Sequence, residues 1–235
     1  NSMKKLLLIV FAVFLILVSA AIVGVQIVSE PLPEGEKGPK AEQLADRMLE
    51  ALNDKAYQEL DVIKWSFPRG HHFVWNRKED SVEVKWSDYE VVFKTKTLDG
   101  QAYHQGEKLE DDDKRSAIDD AWTLFANDSF WLVAPFKVRD SGTTRSYVET
   151  EDGPGLLVTY SSGGVTPGDS YLWVLDESYR PKYWKMWVSI VPVGGLKFIW
   201  EGWEEKEGVW FGTLHQGPGP VEISLKNLEV TSTLD

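Results

Sequence analysis

Ser81-Val82-Glu83-Val84-Lys85-Trp86 places a polar side chain at each odd position and an apolar one at each even position. Successive side chains on a strand point to opposite faces, so a period of two marks a strand with one buried and one wetted side. Short stretches rich in bulky apolar residues, Val62-Ile63-Lys64-Trp65, Tyr171-Leu172-Trp173-Val174 and Tyr183-Trp184-Lys185-Met186-Trp187, read as further strands. All eleven tryptophans fall between Trp65 and Trp210, most of them in such stretches. The body of the chain therefore reads as a β-sheet with one aromatic face. A sheet carrying this much indole either closes over a large core or leaves a concave apolar surface for a ligand.

Working outward from that stretch, strands are predicted near Asp61–Phe67, His71–Asn76, Ser81–Trp86 and Tyr89–Thr97, with a weak one after Gly100. The turns between them, containing Pro68-Arg69-Gly70, Lys78-Glu79-Asp80 and Ser87-Asp88, are so short that neighbours must pair antiparallel in a meander. Before them, Lys40–Asp54 sets Ala41, Leu44, Ala45, Met48, Leu49 and Leu52 at helical spacing, an apolar stripe that has to cover the sheet. After them, Lys114–Phe125 reads as a second helix, with Asp111-Asp112-Asp113 at its start to satisfy free amides and complement the helix dipole. Asn127–Lys137 is too apolar for a surface loop, and Pro135 argues against a helix interior or central strand. It is expected to line the mouth of a cavity. Further strands are predicted over Thr143–Glu149, Leu156–Tyr160, Ser170–Leu175, Lys182–Ile190, Leu196–Trp200, Val209–Thr213 and Val221–Leu225, with a last one over Leu228–Thr231. Thr166-Pro167-Gly168-Asp169 fits a type II turn, and Trp200–Trp210 fits a hairpin with a charged tip.

The 235 residues, 43% of them hydrophobic, suffice for one β-rich domain with a real core. The net charge of −12 includes Lys4 and Lys5, and residues 1–29 hold no acid, so the body is more acidic than the whole chain. Such a surface repels phosphate backbones, which argues against a nucleic-acid partner. Cysteine is absent, removing disulfides, thiolate catalysis, Cys-bound zinc and a lipidated amino-terminal cysteine. Lys4-Lys5 precedes Leu6–Val28, an apolar run interrupted in polarity only by Ser19 and Gln26. As a helix it measures roughly 35 Å, enough for a bilayer core of about 30 Å. Residues 1–29 are thus a signal peptide ending near Val18-Ser19-Ala20 or a signal anchor, and either exports the body. Residues 30–40 read as a Pro/Gly linker and residues 41–235 as the folded domain.

The candidate chemical groups are few. Gly168-Asp169-Ser170-Tyr171 superficially matches the nucleophile block of the Gly-Asp-Ser-Leu esterases, but it follows a Pro-Gly turn and enters a strand. Downstream, only His215 is available as a base, and it lacks the expected Asp-x-x-His setting. His71 and His72 are adjacent on a strand and face opposite ways, so a shared metal is not expected, and no acid stands at a useful offset. Asp111-Asp112-Asp113 lacks the alternation and turn glycine of a calcium loop. Asn127-Asp128-Ser129 fits the glycosylation pattern, which is discounted. No cofactor is expected. Trp184, Trp187 and Trp200 are either core residues or an exposed row able to stack on sugars.

The order helix, meander, helix, aromatic segment, further strands resembles the lipoprotein carriers LolA and LolB, and more narrowly an exported LolA-like family of Bacteroidetes. The resemblance rests on Ala45-Asp46-Arg47-Met48-Leu49-Glu50-Ala51-Leu52, on Asn127-Asp128-Ser129-Phe130-Trp131-Leu132 with Pro135-Phe136-Lys137, and on Gly164-Val165-Thr166-Pro167-Gly168-Asp169. It implies a mainly β (α+β) fold, a half-open antiparallel β-barrel wrapped round short helices; the hydrophobic helix that residues 6–28 place before it, and the lack of a cysteine for lipidation, depart from the carriers. The function it implies is a non-enzymatic one in the periplasm or elsewhere outside the cytoplasm, binding a lipid or acyl chain. Ligand-lining candidates are Trp65, Trp75, Trp86, Trp122, Phe130, Trp131, Phe136, Trp173 and Trp187. Expected partners are a hydrophobic small molecule, the membrane through residues 6–28, and an envelope protein. An exported esterase-like hydrolase and a carbohydrate-binding module are the alternatives.

Overall fold

The computed structural model describes residues 29–162 and 167–232. The hydrophobic helix expected over Leu6–Val28, with its signal-or-anchor alternative, lies outside the described residues. So do 163–166 of the quoted turn block.

Helix α1 (Pro39–Leu52) and the short α2 (Asp54–Gln58) meet at Asn53, whose left-handed φ of 59° ends one helix while its side chain caps the next. The α1 stripe is buried as predicted. Then come β1 (Leu60–Phe67), β2 (His71–Asn76), β3 (Ser81–Trp86), β4 (Tyr89–Lys94), β5 (Gly100–His104) and β6 (Glu107–Lys108), followed by helix α3 (Asp111–Val133) and a 3₁₀ turn over Ala134–Lys137. The second half comprises β7 (Thr143–Thr150), β8 (Gly153–Tyr160), β9 (Ser170–Leu175), β10 (Pro181–Trp187), β11 (Leu196–Lys206), β12 (Val209–Gln216), β13 (Glu222–Ser224) and β14 (Lys226–Ser232).

Two antiparallel sheets of seven strands result, ordered β14-β1-β2-β3-β4-β5-β6 and β13-β12-β11-β10-β9-β8-β7. Between β13 and β14 stands only the buried Leu225, whose N–H donates to the Thr213 carbonyl, so one strand line passes from sheet to sheet. At the other end β6 and β7 do not pair. The sheets are joined at one seam and open at the other, a half-open barrel, and the chain between β6 and β7 is α3. That helix packs against β4 and β5 of the first sheet and β12 of the second.

The predicted alternation of β3 is realised: Val82 and Val84 are buried while Glu83 and Lys85 are wetted. Trp65, Trp173, Trp184 and Trp200 are almost fully buried. Each removes about 150–250 Å² from water, roughly 4–6 kcal/mol of gross stabilisation. The charged-tip hairpin forms as β11–β12, turning on Glu207 and Gly208 with φ of 49° and 76°, the left-handed pair that a two-residue turn requires.

Three expectations need correction. Helix α3 runs eight residues past Phe125 and takes in Asn127–Val133. Its second half lies between two sheets, so its apolar residues go all round and lack the stripe that would betray a helix. Pro135 does not forbid this, because it opens the 3₁₀ turn, where its missing N–H costs nothing. At the other end, the residue before the helix is Glu110, and no side chain there closes a capping bond. Asp111–Asp113 act through charge in the first turn only.

The stretch 30–40, read as a linker, ends in the first two residues of α1, and its earlier part is fastened to the domain at two points. Glu30 donates its N–H to the Gly194 carbonyl, accepts the Trp187 indole N–H and pairs with Lys185, and Glu36 forms a bridge with Tyr147 on β7. Between these points lie β9 and β8, so the strap crosses the outer face of the second sheet, where Val148, Leu157, Leu172, Val174 and Tyr183 form a separate small core. Three strand spacings of about 4.8 Å are within the reach of six extended residues.

Candidate functional site: an aromatic cavity between the sheets

The second half of α3 does not fill the space between the sheets. It leaves a cavity of about 560 Å³. Trp122, Ala126, Phe130 and Val133 recur at helical spacing along α3 and form one wall. Trp75 on β2 and Thr95 after β4 close the end toward the first sheet. Tyr171 on β9, with Trp184 and Met186 on β10, form the opposite wall. The rim is made by Val188, Ile190 and Val191 of the β10–β11 loop.

The rings touch one another around this space. Phe130 lies 5.0 Å from Tyr171 and 5.9 Å from Trp184 between ring centroids, and Trp131 lies 4.8 Å from Trp184. Behind Trp184 stands a triangle with Trp173 and Trp200, centroids 4.9–5.1 Å apart. Tilted, edge-on and, for Phe130 on Trp184, near-parallel contacts at these distances suit aromatic quadrupoles and fix the wall. Burial raises the Tyr171 and Tyr160 phenols above the ordinary value, so both stay neutral at physiological pH. The charges at the cavity are Lys137, paired with Asp140, and Asp169, which accepts the Ser189 N–H at 2.9 Å.

Of the nine lining candidates, Trp75, Trp122, Phe130 and Trp131 border the cavity. The other five sit elsewhere. Trp65 stacks on Phe73 in the core of the first sheet, Trp86 on Tyr89 beside the β3–β4 turn, and Phe136 on Tyr57 under α2. Trp173 belongs to the triangle behind the wall, and Trp187 binds the strap from outside. An exposed row of Trp184, Trp187 and Trp200 does not form, since Trp184 is 1% and Trp200 2% exposed. Missed by the sequence reading were Phe125, Tyr171 and the rim loop. Ile190-Val191-Pro192-Val193 is unusually apolar for a turn between strands, a signal that could have exposed the rim.

Ser170 is buried and its Oγ shares a 2.8 Å hydrogen bond with Thr159, not with a histidine. His215 is wholly buried beside Trp200. The Trp131 backbone approaches it without closing a regular hydrogen bond, and burial lowers its pKa to about 3. A serine nucleophile has no base here. His71 and His72 do face opposite ways, but His71 has an acid after all: its Nδ1 lies 2.7 Å from Asp128 Oδ2 on α3. His72 Nδ1 meets Ser66 Oγ at 2.9 Å. No cluster of metal-ligating residues occurs among the described residues.

No family model matches this chain, and no curated protein matches it either. Among solved structures it is similar to the crystal structure of a DUF1329 family protein from Desulfovibrio piger ATCC 29098. The two share 10% identity and a TM-score of 0.40 over 83% of this chain and 95% of that one.

Proposed function

We propose that the cavity holds an apolar ligand, a lipid or a single acyl chain, and that the protein is a non-enzymatic binding protein of the cell envelope. One observation carries this reading: the space between α3 and the β9–β10 wall is left open although aromatic side chains surround it. Packed interiors avoid such voids, since a lining without partner atoms forfeits dispersion contacts. Filling this one removes apolar surface from water at about 25 cal/mol per Å², and its volume falls within the roughly 300–1,000 Å³ usual for ligand pockets. Export by residues 6–28, attachment to the membrane, a place among LolA-like proteins of Bacteroidetes and an envelope protein partner belong to the same proposal. Mass spectrometry of organic extracts of the purified full chain tests it: a stoichiometric lipid or fatty acid is expected, and repeated recovery of none, with no uptake of added fatty acid, rejects it.

A further inference from the structure

We propose that the β10–β11 loop is a membrane-docking surface that holds the mouth of the cavity against a lipid bilayer. The inference deepens the preceding reading by naming the bilayer as the source of the ligand, and it depends on that reading for its purpose but not for its test.

Three observations converge on this rim. First, Ile190 is 70% exposed, the most exposed large apolar side chain among the described residues, and it lines the cavity mouth together with Val191. Second, the chain that emerges from the apolar run Leu6–Val28 is clamped to the same loop. Gly194 N–H donates to Ser29 Oγ at 2.9 Å, Glu30 N–H to the Gly194 carbonyl at 2.9 Å, and the Trp187 indole N–H to the Glu30 carbonyl at 2.8 Å. Lys185 Nζ adds an ion pair with the Glu30 carboxylate at 2.6 Å. Third, Leu32, two residues beyond the clamp, is 47% exposed.

The consequence is geometric. The twenty-three residues of Leu6–Val28, polar only at Ser19 and Gln26, are long enough to cross a bilayer core, and no spacer separates their end from the clamp. A segment embedded there brings the loop to the membrane surface and fixes which side of the barrel faces it. Electrostatics does not supply the contact, because the chain is strongly acidic and Lys185 is occupied by Glu30. Tethering does, since it raises the local concentration of a weakly apolar surface to the millimolar range. A ligand then passes between bilayer and cavity across Ile190 and Val191 without entering water.

The chain has no cysteine, so a single introduced thiol labels uniquely. The full chain carrying Ile190→Cys, or Val92→Cys on the first sheet as a comparison site of 39% exposure, is labelled with bimane. Each is reconstituted into phosphatidylcholine vesicles containing nitroxide-labelled phospholipid. Quenching at position 190 several-fold above that at position 92, reduced when Trp187→Phe removes the indole bond to Glu30, is expected. Equal and weak quenching at both positions overturns the docking proposal even where fatty acid still binds. Strong quenching at position 190 in a protein that binds no fatty acid upholds docking and instead removes the carrier reading.

Discussion

His71 on β2 and Asp128 on α3 share a 2.7 Å contact that fastens the cavity-lining helix to the first sheet. Both side chains are largely sequestered from water. Burial raises the Asp128 carboxyl above its ordinary pKa, and the His71 hydrogen bond offsets this only in part. A buried acid whose pKa is raised gives stability that is full below its unfolded value and declines as pH rises through the folded one.

Asp128→Ala leaves His71 without its partner and is expected to cost about 1–3 kcal/mol. Asp128→Asn keeps an acceptor and removes the buried charge, so it is expected to cost less. Urea denaturation at neutral pH checks the order, and a larger loss for Asn than for Ala contradicts it.

His215 predicts an acid limb. Its folded pKa, lowered to about 3 by burial, lies below an unfolded value of about 6.5, so the folded state excludes a proton that the unfolded state takes up. The stability contribution is whole above pH 6.5 and falls by about 1.4 kcal/mol per pH unit between there and pH 3. His215→Phe, which preserves a ring against Trp200, is expected to flatten this slope. Denaturation curves at several pH values decide the matter, an unchanged slope counting against a neutral buried imidazole.

The strap predicts local unfolding. A Cβ on Gly35 would stand 2.6 Å from the Ser146 Cβ, too close to be accommodated without movement. Gly35→Ala and Trp187→Phe should each raise amide exchange or proteolysis over residues 30–36 by about tenfold, leaving α3 protected. Exchange rising equally throughout the domain would show instead that the strap is part of the global fold.

Strand positions were the most legible part of the chain, and β2, β3 and β9 match their predicted bounds residue for residue. β9 is apolar and buried on both faces and was found by its β-branched and aromatic content, whereas in β3 the period of two survives because one face of its sheet is wetted. The end of α3 was illegible for the opposite reason: Phe130, Trp131, Leu132 and Val133 contact protein or cavity on every side, and periodicity vanishes where there is no polar face. The candidate site was half legible. Trp75, Trp122, Phe130 and Trp131 were found by their size, but size does not distinguish an indole facing a void from one packed against its neighbours, as Trp65 and Trp173 are. The His71–Asp128 contact, 57 residues apart, left no local trace.

The central claim is that the hollow beside α3 is the ligand site, and Ala126, small and on its wall, offers the most direct test. Titration of the full chain with a fluorescent long-chain fatty acid should give saturable one-to-one binding, weakened at least tenfold, or about 1.4 kcal/mol, by Ala126→Phe in a protein whose folding transition is retained. Unchanged affinity in a folded Ala126→Phe variant, or no saturable binding to the original chain, would contradict the account.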